Sequence, residues 1–140
     1  MAARPRDGVM DASLLRELCL GFPGAYEDFP FGPEASVFKV RPPRGGDERP
    51  GKMFALSNLD AVPLTVALKC DPALAVQLRA AHPEITGAWH MNKRHWSDVR
   101  LDGALAEEDV RDLIEDSYDL VVAGLPRAQR EALGWSRLAR

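Results

Sequence analysis

The sequence predicts a two-layer α+β domain, an antiparallel sheet with helices packed on it. Three observations predict this. Short segments alternate at strand period and are joined by turn-rich connections, and helical stripes fall at both ends of the chain and in its middle. The chain has 140 residues, 46% hydrophobic and 28% charged, which closes one core and is too short for two large domains. A single domain over 1–140 is expected, with a core from about 11 to 134 and short tails.

The elements follow in order. Leu14, Leu15, Leu18, Cys19 and Phe22 fall at helical spacing, with Asp11 able to cap the start and Gly21 and Gly24 punctuating the end. Tyr26 to Pro33 carries two prolines, a glycine and three aromatics. It reads as an ordered connection whose rings plug an edge of the core while Glu27 and Asp28 stay wet. Ser36 to Arg41 alternates, with Phe38 and Val40 on one side and Val37, Lys39 and Arg41 on the other, and a second strand follows at Lys52 to Ser57. Between them, Arg41 to Gly51 is rich in proline, glycine and charge, the composition of a long solvated hairpin loop.

Leu64, Val66 and Leu68 give a third strand. Asp71 and Pro72 then supply an N-cap and a proline at the first helical position, opening a second helix that runs to about Ala81. Thr86 to Leu101 reads as a hairpin with its turn near Asn92-Lys93. An even loop length there would pair His90 with His95 and Trp89 with Trp96, and a three-residue loop would break that pairing. Val110, Leu113, Ile114, Ser117, Tyr118, Val121, Val122 and Leu125 form a long helical stripe. Gly124 ends it, and Pro126 starts a short helix through Leu133. The predicted order is α-β(3)-α-β(2)-α with a short C-terminal helix.

Composition narrows the function classes. Acidic residues outnumber basic ones by 21 to 18, a net charge of −3, so a nucleic-acid role would depend on a local patch. Cys19 and Cys70 form no disulfide framework and no CxxC pair, which with the absence of a signal-like or membrane-spanning run points to the cytoplasm. No HExxH, GxSxG, GxxxxGK[ST] or GxGxxG motif occurs, and Cys19 lies on an apolar helical stripe. The expectation is therefore a protein that is not an enzyme and takes no metal or cofactor. The carboxylates from Glu107 to Asp119 read as the solvated face of the long helix.

The segment Trp89 to Arg100, WHMNKRHWSDVR, stands apart: two tryptophans, two histidines and Lys93, Arg94 and Arg100 against one acid, Asp98. If Val99 and Leu101 point into the core, Trp96 and Arg100 face outward, where an indole and a guanidinium can stack on a base and neutralise a phosphate. Lys39, Arg41 and Lys69 share the outward parity of their strands, so an open sheet face could gather cations around the hairpin. The candidate nucleic-acid contacts are thus Lys93, Arg94, Arg100, His90, His95, Trp89, Trp96, Lys39 and Lys69. Core packing of the tryptophans and solubilising lysines are the plainer reading of the same residues.

The runs FPGAYEDFPFGPEASVFKV, KMFAL, LKCDP, HMNKRHW, LDG and SYDLVV resemble the MmcQ/YjbR family of small bacterial proteins, from about Leu14 to Leu133. The resemblance implies a secretion-chaperone-like fold that matches the order above, and a DNA-binding label resting on a proposed double wing of two β hairpins. HMNKRHW would form one wing, with Lys93 and Arg94 at its tip, and the hairpin joining the first two strands the other. The latter carries Arg44 and Arg49 but also Asp47 and Glu48, so it gains little positive charge. No catalytic residues carry over from the family.

A DNA-binding protein is the leading expectation. The rival readings are a protein-interaction module or homodimer, using the sheet face or the rim around Phe29 and Phe31, and a small-ligand binder around His90, His95 and Tyr26.

Overall fold

The computed structural model describes residues 10–42, 51–103 and 105–135. The first helix, α1 (Ala12–Leu20), starts where the Asp11 carboxylate accepts the Leu14 N–H at 2.8 Å. It buries Leu15 and Cys19, the two residues at the centre of its apolar stripe. Strands β1 (Ala25–Asp28), β2 (Ser36–Val40), β3 (Lys52–Ser57) and β4 (Thr65–Lys69) follow. Helix α2 (Pro72–Ala81) is capped by Asp71, whose carboxylate accepts the N–H groups of Ala73 and Leu74. Strands β5 (Ile85–Gly87) and β6 (Trp96–Arg100), the long α3 (Glu107–Ala123) and the short α4 (Arg127–Leu133) complete the chain. The proline- and glycine-rich connection expected over 41–51 lies, from 43 to 50, outside the described residues.

The strands form a six-stranded antiparallel sheet in the order β1-β2-β3-β4-β6-β5. The predicted architecture holds with one strand added and one displaced: the first arm of the 86–101 hairpin, expected to run through Gly87 to Met91, is β5 at Ile85–Gly87, and 88–95 is turn. Ala25–Asp28 was expected as a connection, but it pairs in register with β2 from Ala25↔Val40 to Asp28↔Val37. Two other expectations for this stretch are corrected. Glu27 lies opposite Phe38 on the core side, only 10% of its side chain exposed, and its carboxylate is held by Arg16 Nε at 2.7 Å and Ser36 Oγ at 2.7 Å. Phe29 and Phe31 do not plug the core; they stand exposed on the turn between β1 and β2.

The core lies between the helices and one sheet face. Phe38, Val40, Ala55, Val66, Leu68 and Val99 face Leu15 and Cys19 of α1 and Val110, Ile114 and Tyr118 of α3, with Leu78 of α2 packed alongside. The β2–β3 register shifts between Phe38 and Lys39, so Phe54 is an extra residue opposite the Phe38–Lys39 step, and both Phe54 and Ala55 are buried. The bulge leaves a gap between β3 and β4 that Ser117 fills: its hydroxyl donates to the Phe54 carbonyl at 2.6 Å and accepts the Lys69 N–H at 2.8 Å. At one edge, Phe22 stacks on Tyr118 at 4.6 Å between ring centres, and Trp135 meets both rings edge-on. Trp135 Nε1 donates to Asp119, so that carboxylate is engaged rather than simply solvated as expected.

Candidate nucleic-acid interface

Helices α1 to α3 share one face of the sheet, and the other carries the residues of opposite parity. There the cross-strand pairs include Tyr26 with Lys39, Lys39 with Met53, Leu56 with Ala67, Ala67 with Asp98, Lys69 with Trp96 and Thr65 with Arg100. Val99 and Leu101 are each 2% exposed, so the parity argument for Trp96 and Arg100 holds and no bulge reverses it near Ser97.

Both long connections leave the same end of this sheet. The β2–β3 ladder closes at Val40↔Lys52, and β4 meets β6 at Lys69↔Trp96 on that same side. The chain therefore leaves β2 and rejoins β3 at the same sheet end as the β5–β6 tip, with β4 between β3 and β6. Charge is divided unevenly: among the described residues Arg41, Lys52, Lys69, Arg79, Lys93 and Arg94 lie toward this end, against Asp71, Asp98 and Asp116, whereas Asp28, Glu34, Asp60, Glu84 and Asp102 lie toward the opposite end, with Arg100.

The tip is a compact double turn. The last ladder bond runs from the Ala88 N–H to the Trp96 carbonyl at 3.0 Å. Beyond it the Met91 N–H reaches the Ala88 carbonyl, and the His95 and Trp96 N–H groups both reach the Asn92 carbonyl. The Asn92 side chain accepts the Arg94 N–H at 3.0 Å, an Asx turn that explains asparagine here. The register Gly87↔Ser97 puts Ala88 opposite Trp96, so the even-loop pairing of Trp89 with Trp96 and His90 with His95 is not formed.

Arg79 of α2 sets this geometry, a residue the sequence reading did not single out. Its Nη2 approaches the carbonyls of Lys93 and of Trp96 (3.0 Å) and the hydroxyl of the buried Ser97 (2.9 Å), while Nε reaches the same hydroxyl at 3.2 Å. A guanidinium suits the task because its planar fork reaches several acceptors at once. The signal in the sequence was its position in the last turn of α2, on the side of Leu78 rather than on the exposed side of Val76 and Gln77. Gly87 also matters: a Cβ there would meet the Lys93 stem at 3.2 Å, so glycine lets that stem lie against β5.

The candidates divide between this end and elsewhere. Trp89 is 74% exposed, with the Lys93 ammonium 5.9 Å from its ring centre and the His90 ring edge-on at 5.7 Å. His90, Lys93 and Arg94 are exposed, and His95 is half-buried with its carbonyl accepting the Cys70 N–H at 2.7 Å. Among the described residues neither Lys93 nor Arg94 makes an ion pair. Trp96 and Lys69 are half-buried partners on the helix-free face.

Lys39 and Arg100 stand differently. Lys39 is bound to Asp28 at 2.8 Å with 13% of its side chain exposed, and that contact, with the Phe29 N–H, holds the Asp28 carboxyl below its ordinary range. Arg100 pairs with Asp102 at 2.6 Å, at the far end of β6, about 13 Å from Trp96 at strand rise. The cations therefore do not all gather at the hairpin tip. Among the described residues no three histidine, cysteine or carboxylate side chains are grouped to hold a metal ion.

The YjbR family profile matches residues 20–120. The chain is 38% identical over 127 residues to the uncharacterized protein YbdF of Escherichia coli O157:H7, covering 87% of this chain and 96% of that one. It is 32% identical over 124 residues to the uncharacterized protein YjbR of Escherichia coli K12, covering 89% and 98%. The crystal structure of Deinococcus radiodurans protein DR2400 superposes with a TM-score of 0.81 at 36% identity, covering 94% of each chain. A crystal structure of a Pseudomonas syringae protein superposes with a TM-score of 0.63 at 29% identity, covering 80% of this chain and 99% of that one. Sequence and fold agree over most of the chain's length, and the chain belongs to the YjbR family.

Proposed function

We propose that the chain is a non-enzymatic DNA-binding protein that sets the β5–β6 tip against the phosphate backbone, with Lys93 and Arg94 as the contacting cations. The observation that carries this reading is their state. Both are exposed and, among the described residues, unpaired, on a tip braced from beneath by Arg79. Lys39 and Arg100 already hold carboxylates, so they play no leading part.

The separation of charge between the two sheet ends supports the same reading. A chain of net charge −3 offers a polyanion little overall attraction, but a basic end can still be steered onto one at low ionic strength. The free, buried thiols of Cys19 and Cys70 fit a reducing cytoplasm, and among the described residues no helix is long and apolar enough to cross a membrane.

A second reading has its own observation. Phe31 is 72% and Phe29 48% exposed on a turn braced by Gly32 N–H to Phe29 carbonyl and Ala35 N–H to Gly32 carbonyl bonds. Exposed aromatic rings are typical anchors for protein contact, and these lie at the sheet end opposite the tip. Fluorescence anisotropy of labelled DNA separates the two readings. Binding that strengthens as salt is lowered supports the DNA reading, and no binding at low salt leaves the phenylalanine turn as the functional surface.

A further inference from the structure

Resting on the DNA reading, we infer that the nucleic acid taken by the β5–β6 tip is single-stranded, with Trp89 as the platform on which an unpaired base stacks. Trp89 is 74% exposed and packs on no core residue, although burying it would return a large hydrophobic gain. Its backbone is fixed rather than free: its N–H points to the Asp98 carboxylate at 3.4 Å, and the preceding Ala88 is 1% exposed and closes the ladder. A side chain projecting from a fixed backbone keeps a flat apolar surface available to a ligand.

The neighbours of the ring match a nucleotide. The Lys93 ammonium lies 5.9 Å from the ring centre and Arg94 is the next residue, so a base stacked on the indole would have its phosphate within reach of a cation. His90, edge-on to the indole, adds a second exposed ring. Every base offers a π-face, so this arrangement favours unstacked bases and reads little sequence.

A duplex fits less well. Its base faces are covered by stacking, leaving only edges and phosphates to read. A two-stranded ribbon enters the major groove with side chains carried on its strands, whereas here the exposed residues sit on the double turn from 89 to 95, beyond the last ladder bond. Two unpaired cations also provide few phosphate contacts, and stacking supplies what they lack.

The test titrates the full chain and its Trp89→Ala and Trp89→Phe variants against labelled oligothymidine, and against the same strand annealed to oligoadenosine, at low salt. The expected result is tighter binding to the single strand. Trp89→Ala should weaken that binding by about five- to a hundredfold and leave duplex binding little changed, and Trp89→Phe should restore part of it. The exposed position makes misfolding of either variant easy to exclude by circular dichroism. Equal or tighter duplex binding overturns the inference while leaving the DNA reading in place. A single-strand preference unaltered in Trp89→Ala also overturns it, by removing the platform. Failure to bind either probe overturns the DNA reading itself.

Discussion

Arg79 donates to the backbone carbonyl of Lys93, so the cation at the head of the β5–β6 tip is positioned by a helix on the other side of its hairpin. The same guanidinium holds Trp96 and Ser97, which makes α2, the β6 strand and the tip one unit. The tip is thereby a preorganised surface, which lowers the ordering cost of binding.

Replacing Arg79 should therefore act on the tip before the fold. Arg79→Ala strands the Ser97 hydroxyl and frees the turn; hydrogen bonds to charged groups are worth about 1.5–3 kcal/mol, and this half-buried site should fall at the lower end. Amide hydrogen exchange should accelerate from Ala88 to Trp96 more than in β2 or β3. Arg79→Lys should rescue little, because an ammonium does not reproduce the fork.

Ser117 is the corresponding lock in the core. Ser117→Ala leaves the Phe54 carbonyl and the Lys69 N–H without their shared partner at the bulge, at about 1–3 kcal/mol for each stranded group. Urea unfolding should show a lower midpoint with an unchanged slope. An unchanged midpoint would mean that the two strands close the gap by themselves.

How much of this was legible beforehand differs by element. The helices and four of the strands could be read because their apolar residues recur at helical or strand period, and Asp11, Asp71 and Gly124 mark helix ends. The outer parity of Val37 was misleading, since Val37 and Ala67 are buried on the helix-free face as well. β1 could not be read: all four of its residues are half-buried, so AYED lacks alternation, and it exists through pairing with β2. Glu27 looked solvent-exposed because the groups that hold its carboxylate, the Arg16 guanidinium and the Ser36 hydroxyl, come from other elements. The tip's composition was visible, but its register was not, since Arg79 and the Asn92 turn fix it from outside the strand pattern. The partners of Lys39 and Arg100 lie on a neighbouring strand and in the turn after β6, so strand parity alone presented both as free.

The buried thiols give a pH prediction. Burial, with the Glu27 charge nearby, pushes Cys19 from 9.0 up to about 12, and burial likewise raises Cys70. The folded state thus binds these protons more tightly than the unfolded chain. Their contribution is fully present below about pH 9 and is lost as pH rises through the folded-state values. Tyr118, raised by burial and by Asp119, acts in the same direction. Stability should fall in the alkaline range, and a thiol reagent at pH 8 should label neither cysteine until denaturant is added.

Phosphate contact by Lys93 and Arg94 is read from the salt dependence of DNA binding in wild type and in Lys93→Ala/Arg94→Ala. Each lost phosphate contact should flatten the slope of log affinity against log salt by about one unit. The double variant should bind more weakly, with a slope shallower by about two units. Equal affinity and equal slope in the two proteins would mean that neither residue meets a phosphate.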